Sequence, residues 1–529
     1  MSRRLLRLGT RRSALARAQS AAIAARLRQL HPDLEVELVG IDTRGDRITD
    51  RPLTQVEGKE FFTAEIDAAL LSGDVDCTVH SYKDLSLDRQ AVLQLAAVPR
   101  REWPQDIVLF APEVPARLAA GAALAIGSSS PRRAAFVPDF LERVLPAAES
   151  GRFAPGMTAV REPAPRRVQL RELRGNVDTR LRRLREPPGS ERHLDGIVLA
   201  LAGLARLWQD QSGRLLLREL LDGLPRMLLP LSVCPSAPAQ GALALECRAD
   251  DADTFEILRA IDDPATRHAV DIERALLAQR GGGCHQRFGA TQITAAGLGT
   301  LLYVREADER GSASASVRWS PELPLPPPSA PVVAWDGNSA EKPPFEMIPE
   351  AASRAQRSVP IAPATFIAHR RAVSGFAAAA LNTCPHLWVP GVETWASLAA
   401  EGVWIEGCAD GLGFAALQPL LAEPVLQLPP VPRWTALTYE GAEGGWPTAE
   451  VIATYRHLPD SGAAQPLLST ATHIYWSSTA QFNRWRLVTR RDAHHACGPG
   501  KTYEFLRGMQ LAHLNVFPSP AQWREWLEI

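Results

Sequence analysis

Short apolar segments alternate with amphipathic ones over the first 85 residues, and this alternation restricts the N-terminal region to the α/β class. Residues 5–8 are predicted to form a strand, and residues 14–30 a helix with one apolar face. A second strand is expected near 36–41, a second helix over 61–71, and a third strand at the start of the stretch 76–85. Repeats of this kind build a sheet covered by helices, with functional turns along one edge of the sheet.

The stretch 76–85, DCTVHSYKDL, reads as a buried strand that breaks into a polar turn ending in Lys83 and Asp84. Because strands of such sheets present functional side chains at their carboxyl ends, we expect a catalytic carboxylate at Asp84. A solvated turn with two opposite charges is the alternative that this pattern alone leaves open. Lys83 is one of only four lysines among 58 basic residues, which favours a need for a compact ammonium group.

Three later strand-to-helix turns each place arginine beside the backbone N–H groups of a helix start. They follow strands predicted at 124–126, 168–173 and 195–200. Helix N-termini and guanidinium groups both bind anions, so these turns indicate a phosphate or polycarboxylate ligand rather than solvated surface charges. The arginines concerned are Arg132, Arg133, Arg174, Arg180 and Arg206, together with Arg11 from the turn after the first strand.

Cysteine spacing and net charge exclude several classes of protein. Seven irregularly spaced cysteines predict neither a disulfide framework nor a zinc site, and His494-His495 beside Cys497 lack further spaced metal ligands. The net charge of −1 gives no signal for nucleic acid or membrane binding. Cys284 stands out because three glycines precede it, and an open loop of this kind favours a reactive or modified thiol over a buried one.

The N-terminus is rich in arginine and poor in acidic residues, as in a targeting peptide. Because residues from Arg7 onward read as structure, we interpret this segment as part of the fold. The irregular cysteines fit a reducing cytoplasm, where we expect the protein to be located. With no run of about 18 apolar residues, we expect no membrane-spanning segment.

A change of composition divides the chain, whose 529 residues are too many for a single core. Residues 320–345 are rich in proline and are predicted to be an extended linker. Beyond them the sequence is rich in tryptophan, with short strands expected at 387–389, 402–405 and 473–476. The segment GPGKT near 500 is interpreted as a helix entry, because His495 stands where a phosphate loop needs its first glycine.

Eight motifs connect residues 5 to about 310 with a known family. They are LGTRRSALA, DTRGD, VHSYKD, GSSSPRR, LRGNVDTRL, DGIVLALAGLARL, PAQGALALECR and GGGCH. In these motifs and their order the chain resembles the porphobilinogen deaminases, or hydroxymethylbilane synthases. The resemblance implies two periplasmic-binding-protein-like lobes, at 1–105 with 225–248 and at 106–224. A small α/β domain at 249–319 would carry a dipyrromethane cofactor.

The resemblance also assigns residues. It implies that the cofactor is bound covalently to Cys284, and that Asp84 is the catalytic carboxylate with Lys83 beside it. The residues matching cofactor-binding positions are Cys284, Arg11, Ser13, Lys83, Ser129, Arg132, Arg133, Arg174 and Arg180. The residues matching substrate-binding positions are Arg11, Lys59, Arg174, Arg180 and Arg206.

The implied reaction belongs to tetrapyrrole (haem) biosynthesis. Four porphobilinogen molecules are joined head to tail with loss of ammonia to give hydroxymethylbilane, and each ring adds two carboxylates. The many arginines suit such a polyanion, and a carboxylate suits the cationic azafulvene left when ammonia departs. The expected partners are therefore small molecules, with no nucleic acid, no membrane and no second subunit.

The sequence departs from the family pattern at three places. Gln55 stands where the family has a further lysine, which removes one expected carboxylate contact. The motif around Lys83 lacks the usual methionine before it and the valine and proline after it. About 25 additional residues precede Leu173 and are interpreted as a surface insertion.

The C-terminal region, 346–529, is similar to uroporphyrinogen-III synthases in WVPGVETWASLAAEGVWIEGCADGLG and in the segments STAQF and HACGPGKT. This family has two α/β lobes and binds its product largely through backbone amides, although the region is short for two lobes. The similarity implies cyclisation of hydroxymethylbilane to uroporphyrinogen III, and a degenerate, non-catalytic domain is the alternative. A solute-binding protein with two lobes around an anion cleft is a third hypothesis, disfavoured by Cys284 and by the absence of a signal peptide.

Overall fold

The computed structural model describes residues 4–43, 63–147, 167–282, 286–308, 310–336, 345–358, 362–448, 450–458 and 467–528. Gln55, Lys59, Cys284 and most of the predicted insertion lie outside these ranges. The chain divides into two compact units. The first consists of Met1–Glu142, Glu149–Gln292 and Tyr303–Ser316, and the second of Arg143–Ala148, Ile293–Leu302 and Val317–Ile529.

The elements up to residue 320 are mostly short strands and helices in alternation. The strands are β1 (Arg4–Arg11), β2 (Leu34–Ile41), β3 (Cys77–Ser81), β4 (Leu93–Ala97), β5 (Asp106–Phe110), β6 (Leu124–Gly127), β7 (Val168–Arg171), β8 (Gly196–Ala200), β9 (Arg226–Leu228), β10 (Leu243–Arg248), β11 (Phe288–Ala295), β12 (Gly299–Ala307) and β13 (Ala313–Ser320). The helices are α1 (Ala14–Leu30), α2 (Ala64–Leu71), α3 (Val114–Ala119), α4 (Pro131–Val144), α5 (Val177–Arg182), α6 (Leu201–Gln209), α7 (Gln211–Leu221), α8 (Ala252–Arg259) and α9 (Pro264–Ala278).

The first sheet has the strand order β2-β1-β3-β10-β4. Strands β1, β2 and β3 are parallel, whereas the late strand β10 runs antiparallel to both β3 and β4. Its core is formed by Leu8 of β1, Val79 of β3, Leu245 of β10 and Leu27 of α1, all buried. The burial of alternate apolar residues fixes the register of β3 and so the point at which its polar turn emerges.

The second sheet repeats this plan with the order β7-β6-β8-β5-β9. Strands β6, β7 and β8 are parallel, and β5 is antiparallel to β8 and β9. The predicted lobe boundary at residue 225 is too early, because β9 pairs with β5 through Ile107 and Leu228 and so belongs to the second sheet. Met227 of β9 is fully buried, and its burial favours this position. Strands β11, β12 and β13 form a separate three-stranded sheet.

The structure confirms α1 and its N-cap and corrects the turn before it. Ser13 Oγ accepts a hydrogen bond from the Ala16 N–H at 3.3 Å, as an N-cap residue does. The segment Gly9–Arg11, expected to be a turn, instead continues β1, because it pairs in register with residues 39–41 of β2. Arg11 is therefore the last residue of a strand.

The second unit also alternates strands with helices. Its strands are β14 (Ala334–Trp335), β15 (Phe345–Met347), β16 (Thr365–Ile367), β17 (Leu387–Val389), β18 (Gly407–Cys408), β19 (Thr435–Tyr439), β20 (Glu450–His457), β21 (His473–Trp476), β22 (His494–Cys497) and β23 (Leu514–Val516). Its helices are α10 (Pro349–Ser358), α11 (Ala378–Leu381), α12 (Val392–Ala399), α13 (Phe414–Leu421), α14 (Thr479–Trp485), α15 (Lys501–Gly508) and α16 (Pro520–Leu527).

These strands form two sheets, so the C-terminal region holds two α/β lobes although it is short. One has the order β15-β20-β19-β16-β17-β18, and the other the order β14-β21-β22-β23 with parallel pairing throughout. In both, helices follow strands, as in doubly wound folds.

Two expectations for this region are wrong. The proline-rich segment 320–345 is not a simple linker, because β14 within it pairs with β21 and Trp335 is only 3% exposed among apolar neighbours. Residues 402–405 form no strand. Val403 and Ile405 are buried in irregular backbone, and the strand follows at β18. Apolar burial alone therefore does not distinguish a strand from a packed loop.

Among the residues described, no helix is both long enough and apolar enough to cross a membrane.

Candidate active site

The predicted catalytic turn lies at the carboxyl end of β3. Residues Tyr82–Asp84 form one turn of 3-10 helix, and the Leu85 N–H closes it on the Tyr82 carbonyl oxygen at 3.3 Å. Tyr82 and Leu85 are buried, whereas the Asp84 side chain is exposed. The turn is therefore anchored by apolar side chains on both sides of Lys83 and Asp84, and it leaves the carboxylate accessible.

Lys83 reaches across to the segment that returns to the first sheet. Its Nζ donates to Gln240 Oε1 at 3.2 Å. Burial lowers the pKa of Lys83, Asp84 opposes this shift, and Arg133 and Arg132 reinforce it. The ammonium group thus lies among charges of both signs, with Asp84 and Asp106 opposing the effect of the two arginines.

Asp106, which the sequence analysis did not single out, organises the neighbouring arginines. Its carboxylate is fully buried and accepts from Arg132 Nη2 at 2.6 Å, Arg133 Nη2 at 2.7 Å and Gln240 Nε2 at 2.9 Å. Burial by itself would raise the pKa of Asp106, but the two guanidinium groups outweigh it and hold the pKa well below its usual range. Two arginines share one carboxylate, so a net positive charge remains.

Arg132 and Arg133 are held rigidly at the N-terminus of α4. Arg132 Nη1 donates to the Pro235 carbonyl at 2.8 Å, and Arg133 Nη1 to the Val198 carbonyl at 2.9 Å. Among the described atoms, the buried Nε groups of both arginines have no hydrogen-bond partner. Each guanidinium group therefore retains one N–H group that can donate to a ligand.

A second pair of arginines adds to this charge. Arg180 Nε donates to the Gly175 carbonyl at 2.7 Å. Burial, followed by repulsion from Arg133 and Arg174, lowers the pKa of Arg180 to about 10, and Asp84 acts in the opposite direction. In the described part of the chain, the buried Arg174 Nη1 has no hydrogen-bond partner. The structure thus brings guanidinium groups that follow strands of the second sheet together with Asp84, which follows β3 of the first sheet.

Three further predicted binding residues, Arg206, Arg11 and Ser13, interact with other parts of the protein. Arg206 is 8% exposed, donates from Nη2 to the Gly241 carbonyl at 2.6 Å, and has its pKa lowered to about 10 by burial. Arg11, at the end of β1, carries a charge that helps lower the pKa of His80 in β3, although burial is the main cause. Ser13 caps α1.

Ser129 lies in the loop that leads from β6 into α4. Its neighbours organise this loop, since Ser128 Oγ accepts from the Ser130 N–H at 3.3 Å and Ser130 Oγ from the Arg133 N–H at 3.4 Å. Ser129 itself is partly buried between them.

A buried cluster of ionisable side chains includes His80 of β3. Asp67, His80 and Glu246 lie close enough together to suggest a metal site. However, Arg89 donates to both carboxylates, with Nη2 at 2.8 Å from Asp67 Oδ1 and 2.6 Å from Glu246 Oε2. Arg89 thus already supplies the positive charge that a metal would bring, so we interpret the cluster as structural.

Two residues that the sequence analysis missed, Asp106 and Gln240, join the two sheets. Gln240 is 1% exposed, accepts from Lys83, and donates from Nε2 to Asp106 and to the Pro104 carbonyl at 2.7 Å. The sequence contained one local signal for Asp106, which is the first residue of the apolar segment DIVLF. A buried carboxylate at that position requires cationic partners.

The geometry fits a polycarboxylate group. Guanidinium groups with unused donors lie near Lys83 and Asp84, and anions with several carboxylates would satisfy them. A dipyrromethane with acidic side chains is of this kind.

Comparison with known proteins agrees with this chemistry. Residues 6–256 match the family model described as porphobilinogen deaminase, dipyromethane cofactor binding domain. The chain is 42% identical over 300 residues to a porphobilinogen deaminase of Acidothermus cellulolyticus, a match that covers 55% of this chain and 76% of that one. It is 40% identical over 284 residues to a porphobilinogen deaminase of Roseiflexus sp., covering 54% of this chain and 80% of the other.

Among solved structures, YhfZ from Shigella flexneri is similar with a TM-score of 0.23 and 13% identity, over 54% of this chain and 99% of that one. Similarity at this level carries no information on function. The two sequence matches are informative because they span most of each relative. The family model covers the arginine-rich turns described above. The chain belongs to the porphobilinogen deaminase family, with a dipyrromethane as its cofactor.

Proposed function

We propose that the first unit joins four porphobilinogen molecules into hydroxymethylbilane, with Asp84 as the catalytic carboxylate. The observation that carries this proposal is the placement of Asp84 among Lys83, Arg133, Arg174 and Arg180. An exposed carboxylate surrounded by cations is suited to a substrate that is anionic at its side chains and becomes cationic at its reacting carbon.

Asp84 would act at each condensation. Loss of ammonia from the aminomethyl group requires a proton and leaves a cationic azafulvene, which a nearby carboxylate stabilises. The carbon–carbon bond then forms to the free α-carbon of the terminal pyrrole, and the proton lost from that carbon passes to a base, for which Asp84 is positioned. When bound, the dipyrromethane would supply the primer to which the porphobilinogen units are added.

The cations would hold carboxylates rather than take part in bond making. We assign the cofactor to Arg11, Ser13, Lys83, Ser129, Arg132, Arg133, Arg174 and Arg180, with covalent attachment at Cys284. We assign incoming substrate to Arg11, Lys59, Arg174, Arg180 and Arg206. Arg206 already donates a hydrogen bond to the Gly241 carbonyl, so its contribution to substrate binding would be the smallest among these residues.

We propose further that the second unit cyclises hydroxymethylbilane to uroporphyrinogen III. Its two sheets present loops at the carboxyl ends of their strands, and several of these loops enter helices. The two lobes meet there: Tyr439 Oη lies 2.6 Å from Thr479 Oγ1, and Lys501 Nζ donates to the Gly444 carbonyl at 3.2 Å. Backbone N–H groups at helix starts would bind the carboxylates of the linear tetrapyrrole.

Two glycines allow this close approach. Gly413 and Gly500 have φ values of +87° and +90° and cap α13 and α15. A Cβ atom built on Gly413 would lie 2.5 Å from Gly500 Cα, so an alanine would push the two loops apart. Gly411, two residues away with φ of +78°, faces open space.

The test feeds porphobilinogen to the purified full-length chain and resolves the oxidised uroporphyrin isomers. Mostly isomer III supports both proposals, whereas mostly isomer I indicates that the second unit is a non-catalytic module, the alternative proposal. No consumption of porphobilinogen would favour a solute-binding protein. Intact mass should exceed the sequence mass by one dipyrromethane, and the Cys284→Ser variant should lose this increment.

Paired variants test the cleft between the lobes. Gly413→Ala is expected to shift the product towards isomer I while porphobilinogen consumption stays unchanged. Gly411→Ala carries the same backbone strain without the clash, so it should keep the wild-type isomer ratio. Equal isomer ratios in the two variants would argue against this site.

A further inference from the structure

One arginine of α9 joins that helix to the turn that carries Lys83 and Asp84. Arg274 Nη1 donates to the carbonyl oxygens of Tyr82 at 3.0 Å and Leu85 at 3.1 Å, and Nη2 donates to that of Ser86 at 2.9 Å. Its guanidinium group also lies over the Tyr82 ring, 4.3 Å from the centroid. The three acceptors flank Lys83 and Asp84 on both sides, so a single side chain fixes both ends of the turn.

The contact requires a guanidinium group in particular. Two nitrogen atoms of one planar fork reach three carbonyl oxygens while the face of the same group stacks on an aromatic ring. An ammonium group is compact and cannot do both. The pKa of Arg274 is lowered by burial, with partial compensation from Tyr82, Asp271 and Glu246.

The residue before Arg274 also anchors α9. Glu273 is fully buried and accepts from Arg101 Nη1 at 2.6 Å, from the Ala239 N–H at 2.7 Å and from the Gln292 N–H at 2.7 Å. Adjacent residues of one helix therefore tie it to the catalytic turn and to the segment before Gln240. Helix α9 is consequently fixed in both position and rotation.

The same helix leads towards the cofactor-bearing cysteine. It ends at Ala278, and Gly282, with φ of +69°, lies against Leu87, where a built Cβ would be 2.9 Å from Leu87 Cδ1. Cys284 follows two residues later in the sequence. Helix α9 thus contacts the catalytic turn, and the chain after the helix lies against Leu87, three residues beyond Asp84.

We propose that Arg274 is a positioning residue that fixes the catalytic turn against α9. The proposal rests on the proposed role of Asp84. Misplacement of a catalytic group by about 1 Å costs on the order of 100-fold in rate. Loss of the contact should therefore lower kcat much more than it raises KM.

The test compares Arg274→Lys with Arg267→Lys in the full-length protein. Arg267 is on the same helix and binds Asp262, with Nη2 2.7 Å from Oδ1, rather than the turn. Arg274→Lys should lower kcat by roughly 10- to 100-fold with KM changed by less than about threefold. It should also retain the dipyrromethane mass, whereas Arg267→Lys should resemble the wild type in kcat and KM.

A second variant guards against simple loss of folding. Arg274→Ala should recover part of its kcat when methylguanidinium is added, and Arg267→Ala should not respond. Any of four results would overturn the proposal: near-normal kcat in Arg274→Lys, an equal loss of kcat in both lysine variants, absence of the cofactor from Arg274→Lys, or no response of Arg274→Ala to methylguanidinium. Normal turnover of Asp84→Asn would instead overturn the role of Asp84, so the two failures are distinguishable.

Discussion

At the scale of single residues, the site is defined by an excess of positive charge. Asp106 neutralises part of the charge on Arg132 and Arg133, whereas Arg180 is repelled by two further guanidinium groups and attracted by Asp84. Like charges held together in a buried site destabilise the protein unless an anion joins them. The arginines are therefore arranged for a ligand rather than for stability.

Replacing Arg180 by glutamine should weaken substrate binding. Because a hydrogen bond to a charged group contributes about 1.5–3 kcal/mol, KM for porphobilinogen should rise by roughly 10- to 100-fold. The melting temperature should not fall, since removal of one guanidinium relieves repulsion. Arg182→Gln, an exposed arginine on the same helix, is the control in steady-state kinetics and thermal melts. An unchanged KM in Arg180→Gln would remove this residue from the binding site.

At the scale of elements, local patterns predicted the strand before Asp84 and the cap of α1, because both depend on neighbours in sequence. They did not predict that Gly9–Arg11 extends β1, which depends on pairing with a strand about 30 residues later. Nor did they single out Gln240 or Asp106, whose partners are distant in the chain. Long-range polar contacts leave little local signal.

The four-stranded sheet of the second unit has an element-scale consequence for pH stability. His473 of β21 stacks on His494 of the neighbouring parallel strand β22 at 4.8 Å, and His494 stacks on His513, the residue before β23, at 4.5 Å. Burial lowers the pKa of His473 and His494, with repulsion between the imidazoles as a further cause, and Asp492 partly offsets the shift of His494. The pKa of buried His495 falls to about 4, chiefly through burial.

These shifts predict loss of stability in mild acid. The unfolded chain binds protons near pH 6.5, before the folded chain does, so the free energy of unfolding should decrease as pH falls from about 6.5 to 4. Urea unfolding followed by tryptophan fluorescence at pH 7 and pH 5 measures this decrease. The decrease should be smaller in His494→Gln but unchanged in His268→Gln, an exposed control. An identical decrease in both variants would contradict the prediction.

At the scale of the whole molecule, the motifs correctly identified the deaminase family over the N-terminal half. The strand-helix alternation also anticipated the α/β architecture of the first unit, whereas two α/β lobes in the second were implied only by the resemblance to uroporphyrinogen-III synthases. What composition could not show is that the proline-rich segment contributes β14, because the burial of Trp335 depends on strands more than 130 residues away. The lobe boundary near residue 225 was missed for the same reason, since β9 is assigned by its partner β5.

The central claim is that Asp84, among the cations of the first unit, is the catalytic carboxylate. The most direct measurement is the turnover of porphobilinogen by Asp84→Asn in protein shown by intact mass to carry the dipyrromethane. Asp88→Asn, four residues away and also exposed, is the matched control for loss of one negative charge. We expect Asp84→Asn to keep the cofactor and lose at least about 100-fold in kcat, while Asp88→Asn stays near the wild type. Turnover of Asp84→Asn within a few-fold of the wild type would contradict the claim.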